Sequence, residues 1–135
     1  MDNLYIGDCS ILIYSVDYTP KMITDILGIN PTSYVFRETA VDGSNFPIKK
    51  NAWFYKIDFT SLDNIDFSLN QVLTIFLTKQ NNFDRLLDAE IKIRCFINSD
   101  YAQIGFKLSA DTLKLLALTK KDFEVSIFSG GGIEL

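Results

Sequence analysis

The N-terminal part of the chain passes from a strand pattern to a helix pattern within a few residues. Residues Cys9–Val16 are apolar at positions that face both sides of a sheet, which is typical of a strand inside the sheet. A helix is predicted over Pro20–Leu27, because Thr19 supplies an N-cap hydroxyl and proline is tolerated at the first helical position. Gly28 follows the last apolar residue of this helix and predicts a left-handed helix end.

A β-hairpin with a long connection is predicted next. Ser33–Glu38 alternates weakly between apolar and polar residues, and Ala52–Phe59 alternates more clearly. The intervening Val41–Asn51 contains the glycine, serine, asparagine and proline that are typical of a loop. On the second strand, one alternate set of residues is predicted to face the core, namely Trp53, Tyr55, Ile57 and Phe59.

A second hairpin is predicted in the C-terminal half of the chain. Glu90–Asn98 and Tyr101–Leu108 both alternate between apolar and polar residues, and only two residues separate them. On the second of these strands, Ile104, Phe106 and Leu108 are predicted to face inward.

The remaining elements complete an α+β order. They are a helix with apolar spacing over Leu69–Leu77, a helix that Ser109 caps and that runs to Leu118, and a last strand over Phe123–Phe128. The whole order is β-α-β-β-α-β-β-α-β, which predicts a mainly antiparallel sheet with helices packed on it. We expect residues 1–135 to form a single domain, with a flexible tail from about residue 129 to residue 135.

The segment from Thr19 to Thr32 carries a resemblance to a known family. It reads Thr-Pro-x-x-Ile-x-x-x-Leu-Gly-Ile-x-Pro-Thr and follows a short N-terminal strand. This run resembles a family of small, mostly bacterial single-domain proteins of unknown function. Members of that family also have a tryptophan strand in mid-chain, a leucine-rich helix and a final strand, which Trp53 and the region from Leu113 to Phe128 match. The resemblance implies a fold and transfers no catalytic residue.

Composition places the chain among folded globular domains. It is 47% hydrophobic with eleven phenylalanines and six tyrosines, and 135 residues suffice for one core. The net charge is −4, and lysine pairs occur only at 49–50 and 120–121, so no basic stripe exists to bind nucleic acid. The mild acidic excess suits a basic protein partner or ordinary solubility. Without a long apolar run or a signal-peptide pattern, we expect a cytoplasmic protein that does not enter a membrane.

The residue types that usually carry chemistry are scarce. The chain has no histidine, which removes the commonest general base and the commonest metal ligand. Cys9 and Cys95 lie within apolar strand patterns and are expected to be buried and reduced, with a disulfide between neighbouring strands as the alternative. Asp58, Asp63 and Asp66 lack the spacing of a calcium loop. We therefore expect no catalytic residue, no cofactor and no metal site.

Aromatic residues on the first predicted hairpin are the candidate binding residues. Trp53 and Tyr55 belong to the alternating set of residues that is predicted to face the core. The best anchors for a protein partner or a second copy of the chain are therefore Tyr34, Phe46 and Phe54. The competing interpretation is that these aromatic side chains pack against the helices.

Two functions from different classes follow as hypotheses. The leading one is a non-catalytic protein-binding module, with an immunity or antidote protein that neutralises a partner toxin as one biological form. The alternative is a small-molecule or peptide-binding regulatory domain that uses a cleft beside Trp53. A toxin-like neighbouring gene would favour the first hypothesis, and an operon of metabolic enzymes would favour the second.

Overall fold

The sheet is built around its first strand. The computed structural model describes residues 6–37, 49–99 and 104–128. Within these ranges the sheet has five strands, in the spatial order β2 (Ser33–Val35), β3 (Asn51–Phe59), β1 (Gly7–Ser15), β4 (Glu90–Asn98) and β5 (Phe123–Phe128). Strand β1 (Gly7–Ser15) pairs antiparallel with both β3 (Asn51–Phe59) and β4 (Glu90–Asn98). All of its residues are buried except the half-buried Tyr14, which confirms the interior strand that its apolar residues on both faces predict.

Two further strands form the edges of this sheet. Strand β2 (Ser33–Val35) pairs antiparallel with β3, and strand β5 (Phe123–Phe128) pairs parallel with β4. The helices are α1 (Pro20–Leu27), α2 (Ile65–Thr78), the short α3 (Gln80–Phe83) and α4 (Ala110–Thr119), with a 3₁₀ turn at Leu62–Asn64. The predicted α+β class with a mainly antiparallel sheet is confirmed.

Helix α1 begins and ends at the residues that the sequence predicts. The Met22 N–H donates to the Thr19 hydroxyl oxygen at 3.2 Å, so Thr19 is the N-cap. Gly28 has φ of 69°, and its N–H donates to the Thr24 carbonyl oxygen at 2.8 Å. This is the left-handed helix end that glycine adopts without steric cost.

All four helices pack on one face of the sheet. Alternate residues of the inner strands point to that face and form one apolar cluster with the buried sides of the helices. The cluster consists of Cys9, Ile11, Ile13, Ile23, Leu27, Trp53, Phe59, Ile65, Leu69, Val72, Leu73, Phe76, Phe83, Leu86, Ile93, Cys95 and Ile97. We call this face the helix face and the opposite one the outer face.

The predicted hairpin between Glu90–Asn98 and Tyr101–Leu108 is not formed. Residues 104–108 contain no strand, and residues 101–103 lie outside the described ranges. Strand β4 already has β1 along one edge and β5 along the other, so no edge of β4 is left for a further strand. Ile104, Phe106 and Leu108 are instead half-buried against the core, which explains their apolar alternation without a strand.

Helix α2 extends beyond the predicted Leu69–Leu77 at both ends, and the short α3 follows it. Helix α4 begins as predicted, because the Thr112 N–H donates to the Ser109 hydroxyl oxygen at 3.1 Å. The predicted flexible tail, residues 129–135, lies outside the described ranges.

Candidate functional site

A groove runs between helix α2 and strand β3 on the helix face. It exists because β2 is only three residues long and pairs with Ala52, Trp53 and Phe54 alone. Strand β1 occupies the other edge of β3 along its full length, but beyond Phe54 no described strand continues β2, so the helix layer ends above a stretch of the sheet that is open on this side. Tyr55 and Ile57 of β3 are half-buried there, whereas Trp53 is fully buried.

The groove consists of two adjoining cavities with volumes of about 270 and 340 Å³. Both are lined by Tyr55, Thr74 and Ile75. Ile29, Thr78 and Lys79 complete the first cavity, and Ile57 and Gln71 complete the second. We call the residues of both cavities together the α2–β3 groove. Volumes of this size are near the lower limit for small-ligand sites in proteins.

The polar groups of the α2–β3 groove fall into two sets. The hydroxyls of Thr74 and Thr78 donate to the carbonyl oxygens of Asn70 and Thr74 at 2.8 and 2.7 Å, so helix α2 already uses them. Among the described residues, the Tyr55 hydroxyl, the Gln71 amide and the Lys79 ammonium make no hydrogen bond or ion pair. The groove therefore combines an apolar floor with three polar groups that are available to a ligand.

Lys79 is the one charged residue that lines the groove, within the described part of the chain. A Cβ atom placed on Gly28 would lie 3.4 Å from the Lys79 Nζ, so the ammonium group lies beside the end of helix α1. Because the rest of the lining is uncharged, an acidic group would find its electrostatic partner at this end of the groove.

The structure does not bring the predicted anchor residues together. Tyr34 lies opposite Trp53 in the sheet register, which places it on the helix face, and its ring centroid is 5.5 Å from that of Phe36. Phe54 is on the outer face, half-buried, with its ring 6.0 Å from Tyr14 and edge-on to it. Phe46 lies outside the described residues. Tyr34 and Phe54 therefore cannot contribute to one patch on a single sheet face.

The alternative hypothesis places a cleft beside Trp53, but the Trp53 side chain does not open onto one. This side chain is fully buried beneath helix α1, and the groove begins two residues further along β3, at Tyr55. Alternation predicts that Tyr55 and Ile57 face the core, and both pack against it, but they are only half-buried because the neighbouring strand stops before them. The threonines of α2 were the available signal, since a flank with Thr74 and Thr78 does not belong to a core.

The two cysteines face each other across strands β1 and β4. Cys9 and Cys95 are register partners, both are buried, and both are free thiols. The Cys9 thiol donates to the Ile65 carbonyl oxygen at 3.8 Å. A hydrogen bond with Cys95 and burial together raise the pKa of the Cys9 thiol far above its usual range. Both side chains are fully buried, so the pair packs as small apolar side chains.

Asp66, in the first turn of helix α2, has a structural role. The Ser109 N–H donates to the Asp66 carboxylate at 2.7 Å, and this bond lowers the pKa of Asp66 from its usual value. Asp66 thereby holds the loop that precedes helix α4. Residues 6–37, 49–99 and 104–128 contain no group of three or more acidic or cysteine side chains placed to hold a metal ion.

Comparison with known proteins identifies the family. A family model described as a domain of unknown function, DUF4279, matches residues 3–129. The chain belongs to the DUF4279 family. No curated protein and no solved structure matches the chain. In the described part of this DUF4279 chain, none of the helices has the length and apolar character that crossing a membrane requires.

Proposed function

We propose that this DUF4279 protein is a non-catalytic protein-binding module, and that the α2–β3 groove receives an apolar side chain of its partner beside an acidic one. The observation that carries the proposal is the lining of the groove. Its isoleucine and tyrosine side chains lie beside polar groups that make no hydrogen bond or ion pair among the described residues. An apolar pocket with a few convergent polar groups is the usual form of a binding site.

The length of the groove suits a segment of a polypeptide. Its lining runs along helix α2 from Gln71 to the C-cap residue Lys79, which at the rise of an α-helix corresponds to about 12 Å. An extended peptide covers that length with about four residues. The exposed side chains of Gln71, Thr74 and Thr78 leave the groove open along this side.

The charge of the groove selects the partner segment. Lys79 has no ion-pair partner among the described residues, and it stands at the end of an otherwise uncharged lining. A suitable partner segment would have a large apolar residue and a nearby Asp or Glu. The apolar side chain would fill the floor of the groove, and the carboxylate would pair with Lys79. An electrostatic match of this kind contributes more to specificity than to affinity.

A random peptide library displayed on phage tests the proposal. We expect the wild-type protein to enrich peptides that combine a large apolar residue with a neighbouring acidic one. Ile75→Glu should weaken the binding of those peptides by about tenfold or more, because it puts a charge on the apolar floor. Lys79→Glu should shift the enrichment from acidic to basic residues. Met22→Glu changes an exposed apolar side chain of helix α1 outside the groove and is the matched control.

Either of two results would contradict protein binding at this site. One is a library that shows no enrichment over the Ile75→Glu protein. The other is binding of a small aromatic or aliphatic acid in the groove, seen as shifts of Tyr55 and Ile75 in NMR spectra, without any peptide binding. The second result would favour the small-molecule alternative.

Neutralisation of a toxin is the more specific biological form of this proposal. An immunity protein must bind its toxin tightly and needs no catalytic group of its own. Co-expression with the product of an adjacent toxin-like gene tests this form. Growth should be rescued by the wild-type protein and by Met22→Glu, and not by Ile75→Glu.

A further inference from the structure

The two edges of the sheet are built differently. At one edge, β2 is three residues long and begins two residues after Pro31, and both features obstruct the pairing of another strand. At the other edge, β5 has six residues, Phe123–Phe128, of which only Glu124 is charged and none is proline, glycine or lysine. Strand β5 therefore lacks the features that usually protect an exposed edge.

The backbone of β5 directs half of its hydrogen-bonding groups away from the sheet. The Asp122 carbonyl oxygen accepts from the Ile93 N–H at 3.4 Å, and the Phe128 carbonyl oxygen accepts from the Ser99 N–H at 3.0 Å. The backbone N–H and C=O groups of the even-numbered residues of β5 therefore point toward β4. The N–H and C=O groups of Phe123, Val125 and Ile127 face the opposite way, where the described residues supply no strand.

The side chains of the same residues are apolar and largely uncovered. Val125 and Ile127 lie on the helix face, in register with Cys95 and Ile97 of the core, yet they are 41% and 51% exposed. Strand β5 thus presents an apolar stripe beside a row of backbone groups that the described residues leave unpaired. Such an edge is suited to pairing with another strand.

We propose that a second copy of this chain pairs with this edge, β5 to β5, antiparallel and centred on Val125. A two-fold axis perpendicular to the sheet keeps the helix faces of both copies on the same side, so residues opposite each other have the same parity. Val125 then meets Val125 of the partner copy, and Phe123 meets Ile127 of the partner copy. All three outward-facing residues of each strand form backbone hydrogen bonds in this register.

The charges of β5 permit this register. Glu124 lies opposite Ser126 of the partner copy on the outer face, so no like charges are directly opposed. A shift that centred the pair on Ser126 would place Glu124 opposite Phe128 and leave Phe123 without a β5 residue opposite it. Self-pairing at β5 uses the sheet edge remote from the α2–β3 groove, and it is independent of the proposed binding function.

Sedimentation velocity of the purified full chain tests the pairing. The wild-type protein should sediment as a species of twice 15.3 kDa. Val125→Lys should sediment as a monomer, because two lysines would meet on the two-fold axis. Ser126→Lys should remain a dimer, because its lysine would face Glu124 of the partner copy. A wild-type monomer at millimolar concentration, or a Val125→Lys protein that stays dimeric, would overturn the proposal.

Cross-linking keeps the proposal testable if Val125→Lys fails to fold. Val125→Cys treated with a short bis-maleimide should give a covalent dimer, because the two Val125 positions are opposite each other. Tyr34→Cys, which replaces another exposed side chain at the β2 edge, should give none. Absence of cross-linking at position 125, or equal cross-linking at both positions, would show that β5 is not the interface.

Discussion

The indole N–H of Trp53 donates to the hydroxyl oxygen of Thr24 at 3.1 Å and thereby joins strand β3 to helix α1. Trp53 is fully buried, so Thr24 satisfies a polar group that water cannot reach. The bond fixes the position of helix α1 over the sheet, and it explains why this tryptophan belongs to the core rather than to a binding cleft.

Replacing Thr24 by valine should destabilise the protein by about 1–3 kcal/mol. Valine preserves the shape of the side chain but leaves the Trp53 N–H buried without an acceptor. Thr24→Ser keeps the hydroxyl and is the control, expected to lose much less. The midpoint of urea unfolding measures both variants, with fluorescence of the single tryptophan as the signal. Equal midpoints for Thr24→Val and Thr24→Ser would show that the hydrogen bond does not contribute.

Replacing Gly28 by alanine should cost about 1 kcal/mol of folding stability, and valine should cost more. The cause is the positive φ of this residue, which side chains with a Cβ resist. Lys120 ends helix α4 with φ of 58°, so Lys120→Gly is the matched control and should raise the thermal midpoint or leave it unchanged. An unaltered midpoint for Gly28→Val would refute this account of the helix end.

Neither cysteine should react readily in the native protein. Both thiols are buried, and the raised pKa of Cys9 keeps its thiol protonated over the neutral pH range. Titration with a thiol reagent should show little labelling until denaturant is added, and then two thiols per chain. Rapid labelling of native Cys9 or Cys95 would reopen a redox role for the pair.

The stability of the protein should fall at acidic pH partly through Asp66. The pKa of Asp66 is lowered in the folded state, chiefly by the Ser109 N–H. A lowered pKa adds stability above the unfolded value of about 4, and this contribution is lost as the pH falls through the folded value.

The substitution Asp66→Asn should therefore flatten the decline of stability below about pH 4, since its amide oxygen still accepts from Ser109 but does not titrate. Asp63→Asn changes an exposed aspartate close by and serves as the control. Urea midpoints measured across the acidic range compare the two. Parallel curves for Asp66→Asn and wild type would count against a role of Asp66 in acid unfolding.

Features encoded by neighbouring residues were predictable from the sequence. The two ends of helix α1 follow from Thr19, Pro20 and Gly28, because capping depends only on residues within one turn. The interior position of β1 follows from its apolar residues on both faces. Such signals need no knowledge of the rest of the chain.

Pairing between distant segments was not predictable in the same way. The alternation of Tyr101–Leu108 is typical of a strand, but both edges of β4 are occupied, by β1 and β5. The alternation does not show which segments occupy the edges of β4. The groove escaped prediction for the same reason. Tyr55 and Trp53 lie on the same face of β3. Trp53 is a core residue and Tyr55 a lining residue of the groove, because β2 pairs with β3 only as far as Phe54.

The central position of β1 has a consequence for how the chain is made. This strand is synthesised before both of its partners, because Gly7 pairs with Phe59 on one side and with Ile97 on the other. A nascent chain must therefore carry its most buried strand without partners until the segments that form β3 and β4 have also left the ribosome. Contacts so distant in sequence slow folding, because a long loop must close before they form. We expect chaperone dependence during translation to exceed what the stability of the finished fold would suggest.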